Sequence, residues 1–200
     1  MQRALSLLTL LLALPLTAHA FDGKREGFLF GLSLGPSYQS IEQEWLIGGE
    51  LFRREDSYSA FGMAYQFGYV LTDRLVLGWV LNLGSYTNDE TKLLGREVKR
   101  GNTGFEIDGF SATYFFKKRA PSPFVEAVVG TARWDDDGLD NVLDGLGLAG
   151  SIGYEVRKNW MVKGTVGWGT PSAEATIGDQ AIKAEVMGLV IAFNASYLWY

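Results

Sequence analysis

The sequence predicts an all-β fold, an eight-stranded antiparallel up-and-down transmembrane β-barrel. Three observations predict it. Eight segments alternate large apolar side chains with small or polar ones, the links between them are alternately long and short, and the last segment, 187–200, repeats the pattern of the first. Side chains alternate across a strand, so each segment carries one wide greasy face and one small, mildly polar face.

The N-terminus sets the context. Arg3 gives a short basic start, residues 4–16 form an apolar run, and Ala18, His19 and Ala20 make an A-x-A site. Residues 1–20 therefore read as a cleaved secretory signal peptide, too short for a spanning helix of roughly 20 apolar residues. Residues 21–200 remain as one barrel domain. Without Arg3 it has 17 basic against 23 acidic side chains, a net charge of −6 (17 − 23), which argues against a nucleic-acid partner. There is no cysteine, so no disulfide framework holds the exported chain. With 25 glycines and no second apolar run long enough for a spanning helix, β-structure is the remaining way across a membrane.

The first strand, 27–37, sets Phe28, Phe30, Leu32 and Leu34 against Leu29, Gly31, Ser33 and Gly35. Segment 38–57 is polar and long, but Gly48 and Gly49 between two apolar-flanked runs are a two-residue hairpin signal that carries the first two strands past the membrane. The second strand, 60–71, alternates Phe61, Met63, Tyr65, Phe67 and Tyr69 with Gly62, Ala64, Gln66 and Gly68; Thr72, Asp73 and Arg74 turn tightly into the third, with Leu77, Trp79 and Leu81 opposite Val76, Gly78 and Val80. A long polar segment runs to about residue 103. The fourth strand, 105–116, is less regular in its upper half, where Glu106 and Asp108 fall, and 117–123 connects it briefly to the fifth, 124–134. After the acidic loop 135–144, the sixth strand sets Leu146, Leu148, Ile152 and Tyr154 against Gly147, Ala149, Ser151 and Glu155. The seventh follows a turn over Arg157, Lys158 and Asn159, and a loop over 170–182 leads to the eighth.

An even strand number with short turns at one end and longer links at the other is the rhythm of outer-membrane barrels, with both ends of the mature chain on the periplasmic side. The large apolar row carries no charge over its centre, whereas the other row holds Gln66, Glu126, Glu155, Lys163 and Asn194. A base at the bilayer midplane costs about 2–4 kcal/mol, so the charged row belongs inside. Tyr69, Phe116, Tyr154, Trp160, Tyr197 and Trp199 fall at strand ends beside the short turns, as an interfacial aromatic girdle does.

These features, with the closing F-N-A-S-Y-L-W, resemble the small eight-stranded outer-membrane barrels of the OmpA, OmpX and OmpW type. The resemblance covers the whole mature chain and rests on pattern. It implies residence in the outer membrane of a Gram-negative bacterium among its lipids and lipopolysaccharide, as a monomer. It also implies a C-terminal signal read by the barrel assembly machinery, carried here by Phe193, Tyr197 and Trp199, with Tyr200 trailing. Enzymes among such barrels rely on histidine. The sole histidine is His19, in the leader, and cysteine is absent, so the usual nucleophile-base pairs and zinc sites cannot be assembled. The expectation is a non-enzyme without cofactor or metal.

Two clusters stand out. Glu126, Glu155 and Lys163 form a charge cluster in the lumen: a turn that sets Val156 opposite Trp160 sets Gly153 opposite Lys163, with Glu155 on the diagonal as the expected partner of Lys163. Such a cluster serves first as paired filling. Asp135, Asp137 and Asp140 in D-D-D-G-L-D-N are a candidate cation-binding loop, though the full twelve-residue EF-hand pattern is missing and a solvated acidic loop is the better reading. Two functions remain open at this stage: a structural or surface-interaction barrel, and a small pore or transporter of a hydrophobic molecule.

Overall fold

In the computed structural model the chain is described over residues 25–47, 49–83, 90–93, 96–99, 103–136, 143–177 and 180–200. The expected signal peptide lies outside the described residues. Ten strands follow in order: β1 Gly27–Ile47, β2 Glu50–Thr72, β3 Leu75–Leu83, β4 Glu90–Leu93, β5 Arg96–Lys99, β6 Thr103–Phe115, β7 Ser122–Asp136, β8 Leu143–Arg157, β9 Trp160–Ile177 and β10 Gln180–Trp199.

Eight of them close a barrel in the order β1-β10-β9-β8-β7-β6-β3-β2, all neighbours antiparallel; β4 and β5 pair as a small hairpin within the link between β3 and β6. Closure comes from β1 on β10, with Phe30 opposite Trp199 and Ile47 opposite Ile182. A closed sheet leaves no unpaired edge, which is what allows strands to cross hydrocarbon.

The outward row is apolar over the part of the wall nearer the short turns. Phe28 and Ile152 are 85% and 71% exposed, and Phe61, Leu148, Val166, Ile191 and Phe193 also face out. Aromatic rings gather at the short-turn end: Phe28 meets Tyr69 at 5.3 Å, Tyr114 meets Phe116 at 5.5 Å, and Tyr197 lies 5.0 Å from Trp160 and 4.5 Å from Trp199. Bare apolar surface of this extent has no place in water. The wall is a transmembrane one.

The first hairpin extends past the membrane part as expected. Residues 38–57 continue β1 and β2 to a turn at Gly49, whose φ of +89° suits a glycine. The segment read as a loop over 170–182 is instead strand at 170–177, the end of β9, and at 180–182, the start of β10, with Ala173 opposite Ala184 and Ser172 opposite Glu185. Its inward positions Pro171, Ala184 and Val186 are buried, so the period of two that shapes the membrane part carries on beyond it. On the outward side Arg53 pairs with Glu44 at 2.7 Å and Lys183 with Glu185 at 2.6 Å. Likewise β7 and β8 reach further into the expected acidic loop, to Asp136 and from Leu143.

Candidate functional site

The inward row fills the lumen in three layers. Toward the short turns lies an apolar floor of Leu29, Val70, Val76, Phe115, Phe124, Met161, Leu198 and Tyr200. Toward the long hairpins lies a larger apolar cluster that includes Ile41, Tyr58, Phe105, Ile107, Trp134, Leu143 and Val186. Between them sits a polar layer built on Glu126.

Glu126 projects from the middle of β7, two residues from Phe124 of the floor and two from Val128 of the upper cluster, so alternation aims all three into the lumen. Its carboxylate accepts four hydrogen bonds from four other strands. Lys163 Nζ on β9 donates at 2.7 Å and Ser151 Oγ on β8 at 3.2 Å to Oε2; Gln66 Nε2 on β2 donates at 3.0 Å and Thr113 Oγ1 on β6 at 3.1 Å to Oε1. Those four fill the acceptor capacity of an ionised carboxylate. Ser151 also bonds Thr165 at 2.9 Å, and Ser33 bonds Ser196 at 2.7 Å across the closing seam. Because β2 and β7 are separated in the sheet by β3 and β6, the bond from Gln66 spans the lumen. Lys163 and Glu126 have 6% and 3% of their side chains exposed, so the pair lies in a medium where an unpaired charge would be costly.

Glu155 does not pair with Lys163. Gly153 stands opposite Lys163 as expected, but a register shift between Glu155 and Arg157 sets Arg157, not Val156, opposite Trp160, and Glu155 lies in the floor. There it binds the Arg25 guanidinium and accepts a hydrogen bond from the Tyr200 hydroxyl. Arg25 reaches it because Gly27, at φ +81°, turns the chain before β1 under the barrel. The same guanidinium donates to the carbonyls of Asp73 at 2.8 Å and Lys117 at 3.0 Å, on two different short turns, and lies 3.8 Å from the centre of the Phe115 ring. Burial, together with the Glu155 carboxylate, pushes the Tyr200 hydroxyl well above the ordinary tyrosine range.

Asp135 sits near the far end of β7, opposite Gly104, whereas Asp137 and Asp140 lie outside the described residues. No group of three or more metal-ligating side chains occurs among the described residues. Phe193 faces outward, and Tyr197 and Trp199 belong to the ring cluster that also holds Phe30, 5.2 Å from Trp199. The sequence reading missed Arg25, which precedes the first strand and meets partners 48, 92 and 130 residues away. Gln66 falls in the lumenal row as expected, and what the sequence did not show is its bond to Glu126.

No protein-family model matches the chain, and no curated protein sequence does. Among solved structures it is similar to the outer membrane protein OprG from Pseudomonas aeruginosa, 13% identical over 89% of this chain and 99% of that one, with a TM-score of 0.56. Weaker likenesses are to Neisserial surface protein A (17% identity, 83% and 99% of the two chains, TM-score 0.38) and to the outer membrane protease OmpT from Escherichia coli (10%, 86% and 96%, TM-score 0.39). The fold is that of the small eight-stranded outer-membrane barrels. At such identities the likeness extends to fold alone.

Proposed function

We propose that this chain is an integral protein of the outer membrane of a Gram-negative bacterium, exported by a signal peptide cleaved after residue 20, with a structural or surface-interaction role and no catalysis. One observation carries the reading: the lumen is filled at three successive levels by an apolar floor, a saturated ion-pair layer and an apolar upper cluster. A pore needs a continuous wet path, and eight strands leave a lumen only wide enough for the side chains that fill it. What the fold offers to partners is its outside: the wall to lipids and lipopolysaccharide, and the paired hairpins β1-β2 and β9-β10, the first of which carries Leu46, Leu51 and Phe52 exposed near its tip. In this reading the short-turn end is periplasmic, the barrel is a monomer, and the assembly machinery reads the outward row Phe193, Tyr197 and Trp199.

The second reading is a small pore or a binder or transporter of a hydrophobic molecule, for which the apolar upper cluster offers the lining. Planar-bilayer recording separates the structural reading from a pore. The filled lumen predicts no stepwise conductance. Steady steps from the purified folded barrel, abolished by boiling, would overturn the structural reading.

A further inference from the structure

We propose that the short turn between β2 and β3 and the short turn between β6 and β7 together hold the phosphate of an anionic phospholipid. This goes beyond the reading of the wall as lipid-facing, because it names a headgroup and a place. It rests on the wall being transmembrane and not on the role of the barrel.

Charge is unevenly placed along the barrel. The stretches 72–75, 116–122 and 157–160, which join strands at the short-turn end, hold Arg74, Lys117, Lys118, Arg119, Arg157 and Lys158 against one acid, Asp73, a net of +5 (6 − 1). The whole chain is −5, so the rest of the sequence carries −10 (−5 − 5). At the long-hairpin end the outward bases meet carboxylates of the barrel itself: Arg53 meets Glu44 at 2.7 Å, Arg133 meets Asp144 at 3.0 Å and Lys183 meets Glu185 at 2.6 Å. At the short-turn end Asp73 lies 4.0 Å from Lys118, whose side chain is 69% exposed. One acid among six bases leaves an excess that attracts an anion from outside.

Four of the six bases fall together. β3 and β6 are neighbours in the sheet, and the Phe115 amide donates to the Arg74 carbonyl at 2.7 Å. From the lumen side, Arg25 Nη1 donates to the carbonyls of both Asp73 and Lys117, which pins the two turns side by side. Arg74 therefore stands beside Lys117, Lys118 and Arg119 on a fixed frame. Like charges so placed repel until an anion lies between them.

Depth decides which anion. Arg74 Nη1 lies 3.5 Å from the hydroxyl of Tyr114, whose ring faces outward and packs on Phe116. On the third turn the Arg157 guanidinium lies 5.5 Å over the outward ring of Trp160. Aromatic rings of this kind mark the level of the headgroups. Both guanidiniums thus sit in the headgroup layer, where the anion at hand is a lipid phosphate, which a guanidinium meets through two parallel hydrogen bonds. A zwitterionic lipid brings its own ammonium against the cluster, and a lipid charged only at its phosphodiester does not. One base near a membrane surface favours the anionic lipid about five-fold, equivalent to about 1 kcal/mol.

The test is photocrosslinking of the full folded barrel in phosphatidylcholine vesicles, followed by peptide mapping. The vesicles contain a small share of a lipid with a diazirine in its acyl chain, either phosphatidylglycerol or phosphatidylcholine. The ratio of the two labels on Leu77, Ala112 and Tyr114, below the cluster, should exceed that on Leu32 and Ala195 of β1 and β10 by about five-fold. It should fall to unity in Arg74→Gln/Lys118→Gln/Arg119→Gln and persist in Arg53→Gln/Lys183→Gln at the other end. Lys118→Gln alone, on an exposed side chain, is the second variant and should lower it part-way. Equal ratios at the two places, or a preference that survives these neutralisations, would overturn the proposal. So would displacement of the labelled lipid by inorganic phosphate beyond that by chloride at the same ionic strength, since the cluster would then serve a soluble anion. Heat-modifiable migration of each sample keeps this apart from the barrel itself: a chain that folds without the preference refutes the site alone.

Discussion

Replacing Lys163 by methionine removes the only cation among the four donors to Glu126 and leaves three neutral ones, Gln66, Thr113 and Ser151. Methionine keeps nearly the same length and volume, so cavity formation is a small part of the effect. Removing one partner of a buried pair costs about 3–5 kcal/mol because the other charge stays behind unpaired. The three remaining donors bring the expectation to the lower end, about 3 kcal/mol. Glu126→Gln in the same chain removes the stranded charge, so the double variant should recover much of the loss, with a coupling of about 1–3 kcal/mol, as found for groups in one buried network. Glu155→Gln in the Lys163→Met background should show no coupling, since Glu155 is held by Arg25 and Tyr200. The assay is urea unfolding in lipid vesicles, followed by tryptophan fluorescence and by the change in gel migration between boiled and unboiled samples. Additive effects of Lys163→Met and Glu126→Gln, or coupling of Lys163 to Glu155 instead, would refute the layer as described.

The floor gives a parallel expectation: Arg25→Met should destabilise the barrel by about 3–5 kcal/mol by leaving Glu155 buried and unpaired, and Glu155→Gln should restore part of it in the same urea assay. Tyr200 gives a pH dependence. Its hydroxyl is held protonated in the folded barrel above the ordinary value of about 10, so its contribution is complete below that pH and is lost as pH rises toward the folded value. Unfolding midpoints should therefore fall above about pH 10, and Tyr200→Phe should flatten that fall; an unchanged alkaline slope would remove Tyr200 as its cause. Spin labels at Ile152 and Ile191 should be accessible to lipid-soluble oxygen, and labels at Ser151 and Ala192 should not; the reverse would invert the barrel. Trp199→Ala, which strips a ring from the outward cluster with Phe30 and Tyr197, should lower the heat-modifiable fraction in membranes more than Tyr200→Ala.

The strands were legible because a closed sheet imposes a period of two, and the cost of charge in hydrocarbon decides which row faces out. That rule alone assigns Gln66, Glu126, Ser151 and Lys163 to the lumen, and the hairpin sets Gly153 opposite Lys163. The same periodicity continues beyond the bilayer, where Pro171 and Ala173 flank Ser172 on β9 and Ala184 and Val186 alternate with Lys183 and Glu185 on β10. Polarity on the outward row hid it, because beyond the bilayer a strand no longer needs an apolar outside.

Pairing inside the lumen was a different matter. Local geometry offered Glu155 to Lys163 as a diagonal neighbour, yet the nearer competitor for Lys163 came from across the sheet, on β7, and the stronger claim on Glu155 came from a residue before the first strand. Contacts of this kind are set by barrel closure, which brings residues 25 and 200 together over one carboxylate at position 155. Sequence spacing within a hairpin therefore predicts register but not which charges share a layer, since a layer is cut across all eight strands at once. The two lumenal carboxylates show the consequence. Glu126 is held by four strands and Glu155 by Arg25 and Tyr200, which flank β1 and β10, so loss of the first should loosen the membrane-spanning wall and loss of the second the floor alone.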